Sequence, residues 1–192
     1  MNLLVLGPQG AGKGTQAARI SQEYGIPHVA TGDMFRAEQA AGTEFGKRVG
    51  AIMAAGELVP DSLTIEMIES RLTQPDAEAG FVLDGFPRNL AQADALDEML
   101  GGIGRGLDAI LFFDVPDGVG MERALSRARI EGRADDTADV IARRLEIYHS
   151  DTEPIVEHYR TTGRLVPLHA ERTVEEVWSE IAAALEHVAA AT

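Results

Sequence analysis

A glycine-rich segment with one lysine follows the first apolar run of the chain. Residues 7–15 read GPQGAGKGT, which has the spacing G-x-x-x-x-G-K, and the run NLLVL at 2–6 predicts a buried strand directly before it. Small residues at 10–12 let the backbone curl, so that its N–H groups can point toward phosphate oxygens. A helix that begins near Lys13 adds a positive dipole, and Lys13 adds a mobile charge. A turn with a chance lysine is the alternative, but this context favours a phosphate-binding loop.

Polar residues also follow a second predicted strand, FVLD at 81–84. Asp84 ends this run, and a carboxylate beside a phosphate loop can hold the water shell of a magnesium ion. The alternative is an ordinary aspartate at a strand end. Arg88 lies just beyond, where a second phosphate could bind, and the segment TGD at 31–33 opens a helix with Arg36 one turn in.

The basic residues of the chain are unevenly distributed. Only Lys13 and Lys47 are lysines, and all other basic residues are arginines. Six of them fall within residues 123–144: Arg123, Arg127, Arg129, Arg133, Arg143 and Arg144. The guanidinium fork matches the geometry of phosphate, so this stretch is either an anion site or a solvated helix face.

Short apolar runs alternate with helical patterns along the chain. Further strands are predicted at 110–115, at 164–168 and, as a short element, at 28–30. Helices are predicted near 13–24, 61–73, 89–100, 117–129 and 137–160, and a T-x-x-E capping box at 173–176 opens the last one. This alternation predicts an α/β fold in three layers, with a parallel sheet covered on both faces. Such sheets bind ligands at the carboxyl ends of their strands.

Composition sets limits on the function. A chain of 192 residues favours a single domain, and its net charge of -14 disfavours nucleic acids and anionic membranes as partners. No cysteine is present, which excludes disulfides, thiolate zinc sites and a cysteine nucleophile. No apolar run reaches the length of about 18 residues that a membrane span requires. The first residues do not resemble a signal peptide, so a cytoplasmic location is expected.

Missing motifs narrow the class of phosphate-binding protein. Neither asparagine, Asn2 or Asn89, lies in the N-K-x-D pattern with which switch GTPases read guanine. No LSGGQ-like segment is present, and the chain is short for a motor or transport ATPase. A kinase for small molecules remains.

Taken together, the motifs resemble the adenylate kinase family, in order and over essentially the whole chain. The matching segments are GPQGAGKGTQ, TGDMFR at 31–36, GELVP at 56–60, DGFPRNLAQA at 84–93, GRADD at 132–136 and ARRLEIY at 142–148. The resemblance implies a P-loop NTPase fold with a five-stranded parallel sheet, a helical AMP-binding region at about 30–59 and a lid at about 126–136. It also implies a monomer that converts Mg·ATP and AMP into two ADP.

The same resemblance assigns residues to the two nucleotides. ATP is expected to contact Gly10, Ala11, Gly12, Lys13, Gly14, Thr15, Arg123 and Arg127. AMP is expected to contact Thr31, Arg36, Met53, Glu57, Leu58, Val59, Gly85, Arg88, Gln92, Arg133 and Arg144. Catalysis would rest on Lys13, Arg88, Arg127, Arg133 and Arg144, and Asp84 would hold magnesium through water. The predicted lid is too short for the inserted domain of long family members and lacks their zinc-binding cysteines, so no zinc is expected.

Other functions stay open at this stage. UMP/CMP kinases share most of these motifs, but Thr31 and Gln92 stand where the family reads AMP. A nucleotide-binding sensor without activity is a second alternative, although the arginine set is intact. A kinase for a non-nucleotide alcohol is disfavoured, because no obvious base is present to accept the hydroxyl proton.

Overall fold

The computed structural model describes residues 1–132 and 136–191. Its centre is a five-stranded sheet in which every paired strand is parallel, in the order β2-β3-β1-β4-β5. The strands are β1 (Asn2–Leu6), β2 (His28–Ala30), β3 (Phe81–Asp84), β4 (Ala109–Asp114) and β5 (Leu165–His169). The predicted α/β fold with a five-stranded parallel sheet is therefore confirmed.

Helices connect the strands and cover both faces of the sheet. They are α1 (Lys13–Tyr24), α2 (Thr31–Ala40), α3 (Glu44–Ala54), α4 (Asp61–Leu72), α5 (Leu90–Gly102), α6 (Asp117–Glu131), α7 (Ala138–Ile147), α8 (Glu153–Arg160) and α9 (Val174–Ala191). A short 3₁₀ turn (Pro75–Ala77) precedes β3, and a π-helical segment (Tyr148–Thr152) links α7 to α8. None of the helices in the described ranges is long and apolar enough to cross a membrane.

After Asn2, strand β1 is apolar from Leu3 to Leu6, and these side chains are buried on both faces of the sheet. Leu3 and Val5 belong to one apolar cluster, which includes residues of α1 and α9. Leu4 and Leu6 belong to a second cluster, which includes residues of α4, α5 and α8. Successive side chains of a strand point to opposite faces, so this short run contributes to two cores at once.

The sheet brings the predicted motifs to one edge. Strand β1 pairs with β3 on one side and with β4 on the other. The chain order therefore reverses at β1, and the carboxyl ends of β1 and β3 lie side by side. This is the position at which open α/β sheets bind ligands.

Helices α2 and α3 form a small subregion with its own apolar cluster. Phe35, Val49, Met53 and Val59 are its buried members. Gly46 lies where α3 crosses α2, since a Cβ at this position would stand 2.0 Å from the carbonyl oxygen of Glu38. Glycine here permits direct contact between two helix backbones.

One difference from the predicted elements is at residues 137–160. The single helix expected there is interrupted by the π-helical segment, and α8 begins at Glu153 with Pro154 in its first turn. Proline suits the first turn of a helix, because its missing N–H has no intrahelical acceptor there.

Candidate active site

The glycine-rich loop has the backbone that its sequence predicts. Gly10 and Gly12 have φ values of 80° and 90°, in the left-handed region that disfavours residues with a Cβ. A Cβ on Gly10 would also stand 1.9 Å from the carbonyl oxygen of Gly120 in α6. The loop leads into α1, whose first N–H groups have no intrahelical acceptor. The loop and this helix end can therefore offer several N–H donors to a phosphate group.

Lys13 reaches back across the loop. Its Nζ donates to the carbonyl oxygens of Gly7 and Pro8, each at 2.8 Å. Burial lowers the pKa of Lys13 to about 8, against a smaller opposing effect of Asp84. The lysine is thus a partly desolvated cation, and such a cation interacts more strongly with a phosphate than an exposed one does.

Asp84 at the end of β3 faces the beginning of α1. A Cβ built on Gly14 would lie 3.5 Å from Asp84 Oδ2, and His28 Nε2 lies 3.5 Å from the same oxygen. Burial raises the pKa of the Asp84 carboxyl, but His28 and Lys13 outweigh it and hold the pKa below its ordinary value. Asp84 is therefore an anionic oxygen donor beside the loop.

The single carboxylate at this position fits a magnesium ion that takes most of its ligands from phosphate groups and water. It does not fit a metal ion that is held only by protein side chains. Within residues 1–132 and 136–191, no group of three or more His, Asp or Glu side chains could hold a metal ion. A cation at Asp84 would need further oxygens from phosphate groups and water. Magnesium is commonly bound in this way, because it retains several waters.

Arg88 lies deep in the same site. Its Nε donates to the carbonyl oxygen of Gly85 at 2.9 Å. Burial lowers the pKa of Arg88, and the nearby cations Arg144 and Arg36 lower it further. Arg36 also forms an ion pair with Asp33 one turn away on α2. Several cations thus converge on one region, where an anionic ligand would relieve their repulsion.

Asp136 is the buried counter-ion of this cluster. Its carboxylate accepts hydrogen bonds from Arg127 at 2.7 Å, from Arg144 at 2.6 Å and from Gln9 at 2.9 Å. Burial opposes ionisation of Asp136, but the bond from Arg127 and the charges of both arginines outweigh it and lower its pKa. The carboxylate therefore connects the phosphate loop, α6 and α7.

Arg123 is held against the loop between β5 and α9. Its guanidinium donates to the carbonyl oxygen of Ala170 at 2.6 Å and to that of Glu171 at 2.9 Å. These bonds fix the position of the flat guanidinium at the cavity wall. A planar cation held in this way can stack on an aromatic base.

The opposite part of the site is formed by β3, α5 and the subregion of α2 and α3. Thr31 is buried and donates to the carbonyl oxygen of Gly85 at 2.9 Å. Gln92 is only 2% exposed and accepts a hydrogen bond from the backbone N–H of Arg88 at 2.8 Å. Backbone and side-chain groups from separate segments meet here, as expected for a pocket that binds a small molecule.

One cavity of about 920 Å³ unites these parts. It is lined by the following predicted residues: Gly10, Ala11, Gly12, Lys13, Gly14, Thr15, Arg36, Met53, Glu57, Leu58, Val59, Asp84, Gly85, Arg88, Gln92, Arg123, Arg127 and Arg144. Thr31 is not among the lining residues and lies behind Gly85. The prediction for Arg133, and part of the predicted lid at 126–136, lie outside the described residues.

Three polar residues of this region were not identified from the sequence. Asp136 and Asp61 act through side-chain contacts with the distant residues Gln9 and Gln92, and His28 approaches Asp84 from the neighbouring strand. A weak signal existed for Asp136, because it ends the GRADD segment within the arginine-rich stretch. We find no comparable signal for Asp61 or His28.

Comparison with known proteins agrees with this geometry. The family model described as Adenylate kinase matches residues 5–164. A protein named adenylate kinase from Stenotrophomonas maltophilia (strain K279a) is 47% identical over 97% of this chain and 100% of its own length. A protein of the same name from Thermosynechococcus vestitus is 46% identical over 98% of both chains, and one from Parvibaculum lavamentivorans is 46% identical over 94% of this chain and 90% of its own length. The chain therefore belongs to the adenylate kinase family.

Proposed function

We propose that this chain transfers the terminal phosphoryl group of Mg·ATP to AMP and forms two ADP, reversibly. The observation that carries the proposal is the shared cavity, which is lined by Lys13, Arg88, Arg127 and Arg144 beside the phosphate loop. The cavity is lined both by this loop and by Gln92, so the two predicted nucleotide sites share one space. Its relatives' names support the same activity.

The phosphate loop and its flanking cations would bind the donor. Residues 10–15 would surround the β- and γ-phosphates, with Lys13 leaving its carbonyl acceptors to contact the transferred group. Arg123 would stack on the adenine, and Arg127 would neutralise phosphate charge. Thr15 follows Gly14 in the loop and need not contact the metal directly.

The other half of the cavity would bind the acceptor. Arg36, Arg88 and Arg144, which line this part of the cavity, would hold the AMP phosphate, and Arg133 would join them, as the family resemblance implies. The adenine would contact Thr31, Met53, Glu57, Leu58, Val59, Gly85 and Gln92 on the same basis.

The transfer requires positioning and charge neutralisation more than proton abstraction. The bond between the γ-phosphorus and its bridging oxygen breaks, and a bond to an AMP phosphate oxygen forms. The second pKa of a phosphate monoester is about 6, so AMP is already largely dianionic at neutral pH. This explains why arginines, and not a catalytic base, dominate the site.

Magnesium is part of the proposal. Asp84 would hold the ion through its water shell, while the phosphates of ATP supply the other oxygens. Bound in this way, magnesium would supply positive charge beside the transferred group. A monomer would suffice, since the residues of the site come from one chain; the cytoplasmic location stays a prediction.

Closure of two regions would bring the cations together only around bound nucleotides. Residues 30–59 are proposed to close over AMP, and residues 126–136 over ATP. Closure would also exclude water, which otherwise competes as acceptor of the phosphoryl group.

A coupled assay of ADP formation tests the proposal. The purified chain is given Mg·ATP with AMP, CMP or UMP as acceptor. We expect the largest kcat/KM with AMP, and no activity when magnesium is chelated. Equal or faster turnover with UMP or CMP would reassign the chain to the pyrimidine kinases. Calorimetric binding of ATP and AMP without turnover would indicate an inactive sensor.

A further inference from the structure

Gln92 has a fixed amide orientation because its two ends meet groups of opposite kinds. Its Oε1 accepts from the backbone N–H of Arg88 at 2.8 Å, and its Nε2 donates to Asp61 Oδ1 at 2.7 Å. The N–H can only donate, and the carboxylate can only accept. A reversed amide would place donor against donor and acceptor against acceptor, so both neighbours enforce the same sense.

Asp61 is itself held in place. It is the first residue of α4, where a negative charge is favoured by the helix dipole. Asn89 Nδ2 donates to its two carboxylate oxygens at 3.0 and 3.2 Å. Asn89 also caps α5 by accepting from the backbone N–H of Gln92 at 2.9 Å. The positions of Asp61 and Gln92 are therefore coupled through one polar network.

The network determines which hydrogen bonds Gln92 can still form with a ligand in the cavity that it lines. An amide has two N–H hydrogens and two oxygen lone pairs. One of each is used by the protein, so one donor and one acceptor remain in a fixed order. Adenine offers the complementary order, an acceptor at N1 beside a donor amino group. Hypoxanthine and guanine offer the opposite order, an N1–H donor beside an oxo acceptor.

We infer that Asp61 is a positioning residue for base selection: together with the backbone N–H of Arg88 it fixes the sense of the Gln92 amide, so that the site accepts adenine and rejects 6-oxopurines. The inference rests on the proposed function, with AMP as acceptor. Asp61 itself need not touch the base. A polar site that is set for one hydrogen-bonding pattern rejects the reverse pattern strongly, because its buried groups are left unpaired.

The main test variant is Asp61→Asn. Its side-chain amide can either accept from Gln92 or donate to it, so one of the two constraints on the amide sense is lost. We expect the ratio of kcat/KM for AMP to that for inosine monophosphate to fall at least tenfold. Most of the change should be in the KM values, with kcat for AMP and KM for ATP within about twofold of the parent.

Asn89→Ser provides a second, milder variant. Serine retains a cap for α5 but has no amide to hold Asp61. The selectivity ratio should fall in the same direction by a smaller factor. Glu66→Gln is the matched control, because it removes one exposed carboxylate from the same helix, away from the cavity. Its ratio should equal that of the parent.

The selectivity ratio distinguishes a positioning role of Asp61 from a purely structural one. A purely structural role would lower turnover of AMP and inosine monophosphate in proportion and leave the ratio unchanged, which would overturn the inference. An unchanged ratio in Asn89→Ser, if Asp61→Asn does not fold, would overturn it as well. Lack of AMP turnover by the parent chain would instead refute the proposed function, and calorimetric titration with AMP and inosine monophosphate would then still test the selectivity.

Discussion

Arg144 donates from Nη2 to the backbone carbonyl oxygen of Met53 at 3.1 Å. Its Nη1 donates to Asp136 at 2.6 Å. One guanidinium on α7 therefore contacts both α3 and the buried carboxylate next to the phosphate loop. The contact depends on the planar fork of arginine, since a single ammonium group could not reach both acceptors in the same geometry.

We expect Arg144→Lys to lower kcat by about 10²-fold, because a lysine keeps the charge but loses the paired donors that hold a phosphate and its neighbours. Steady-state kinetics with Mg·ATP and AMP measure the effect. Arg143→Lys is the control: this neighbouring arginine forms exposed ion pairs with Glu57 and Glu146. A loss of similar size in both variants would show that the position of Arg144 in the cavity is not decisive.

Lys13→Met should lower kcat by about 10³-fold or more, because the variant lacks the cation nearest the phosphate loop. The coupled assay measures this change. The chain offers a close control in Lys47→Met, which removes its other lysine, an exposed residue of α3 paired with Glu44. Retention of full activity in Lys13→Met would refute the role of the lysine in phosphate binding.

The lowered pKa of Lys13 predicts a pH dependence. Since burial lowers this pKa to about 8, kcat/KM for ATP should fall as the pH rises above about 8 and the free enzyme loses this charge. Stability should change in the opposite direction. Between pH 8 and 10.5 Lys13 is more fully protonated in the unfolded chain than in the folded one. The contribution of this group to the free energy of unfolding therefore increases as pH rises through this window. The parent should therefore gain stability relative to Lys13→Met across that window. A constant difference would contradict the assignment.

Asp136→Asn should reduce the free energy of unfolding by about 2–3 kcal/mol at neutral pH, because two arginines lose a buried charged acceptor. The pKa of Asp136 is lowered, so its contribution is complete above the unfolded value of 3.8 and is lost as pH falls below it. The difference between parent and variant should shrink in that acid range. Urea unfolding measures it, with the exposed Asp139→Asn as control. A similar loss in both variants would rule out a special role for the buried carboxylate.

The sequence predicted those elements of the fold that are determined by residues adjacent in the chain. The strands at 2–6 and 81–84 and the helix at 13–24 have the predicted bounds, because continuous apolar runs and a glycine-rich turn mark them. Helix α3 was not predicted from its own residues, since Gly46 and Gly50 lower helix propensity, and only the family resemblance implied a helical region at about 30–59. Both glycines are explained only by packing: a Cβ on Gly50 would stand 2.7 Å from the side chain of Gln39.

The residues of the candidate site likewise fall into those that the sequence could identify and those that it could not. Residues in contiguous motifs, such as the phosphate loop and Arg88, could be identified because the motif itself carries the chemistry. Asp61 and Asp136 could not, because their roles come from hydrogen bonds to Gln92 and to Gln9 on remote segments. A side chain that acts by orienting another one leaves no local pattern.

The close contact at Gly46 limits how residues 30–59 can move. Since the backbones of α2 and α3 touch there, bending one helix against the other would break a direct backbone contact, with no side chain in between. The two helices should therefore rotate together as one rigid body. Its pivots would be the junction of β2 with α2 and the turn at Gly56, where φ is 76°. A displacement of any part of this helix pair would therefore be transmitted directly to the cavity wall.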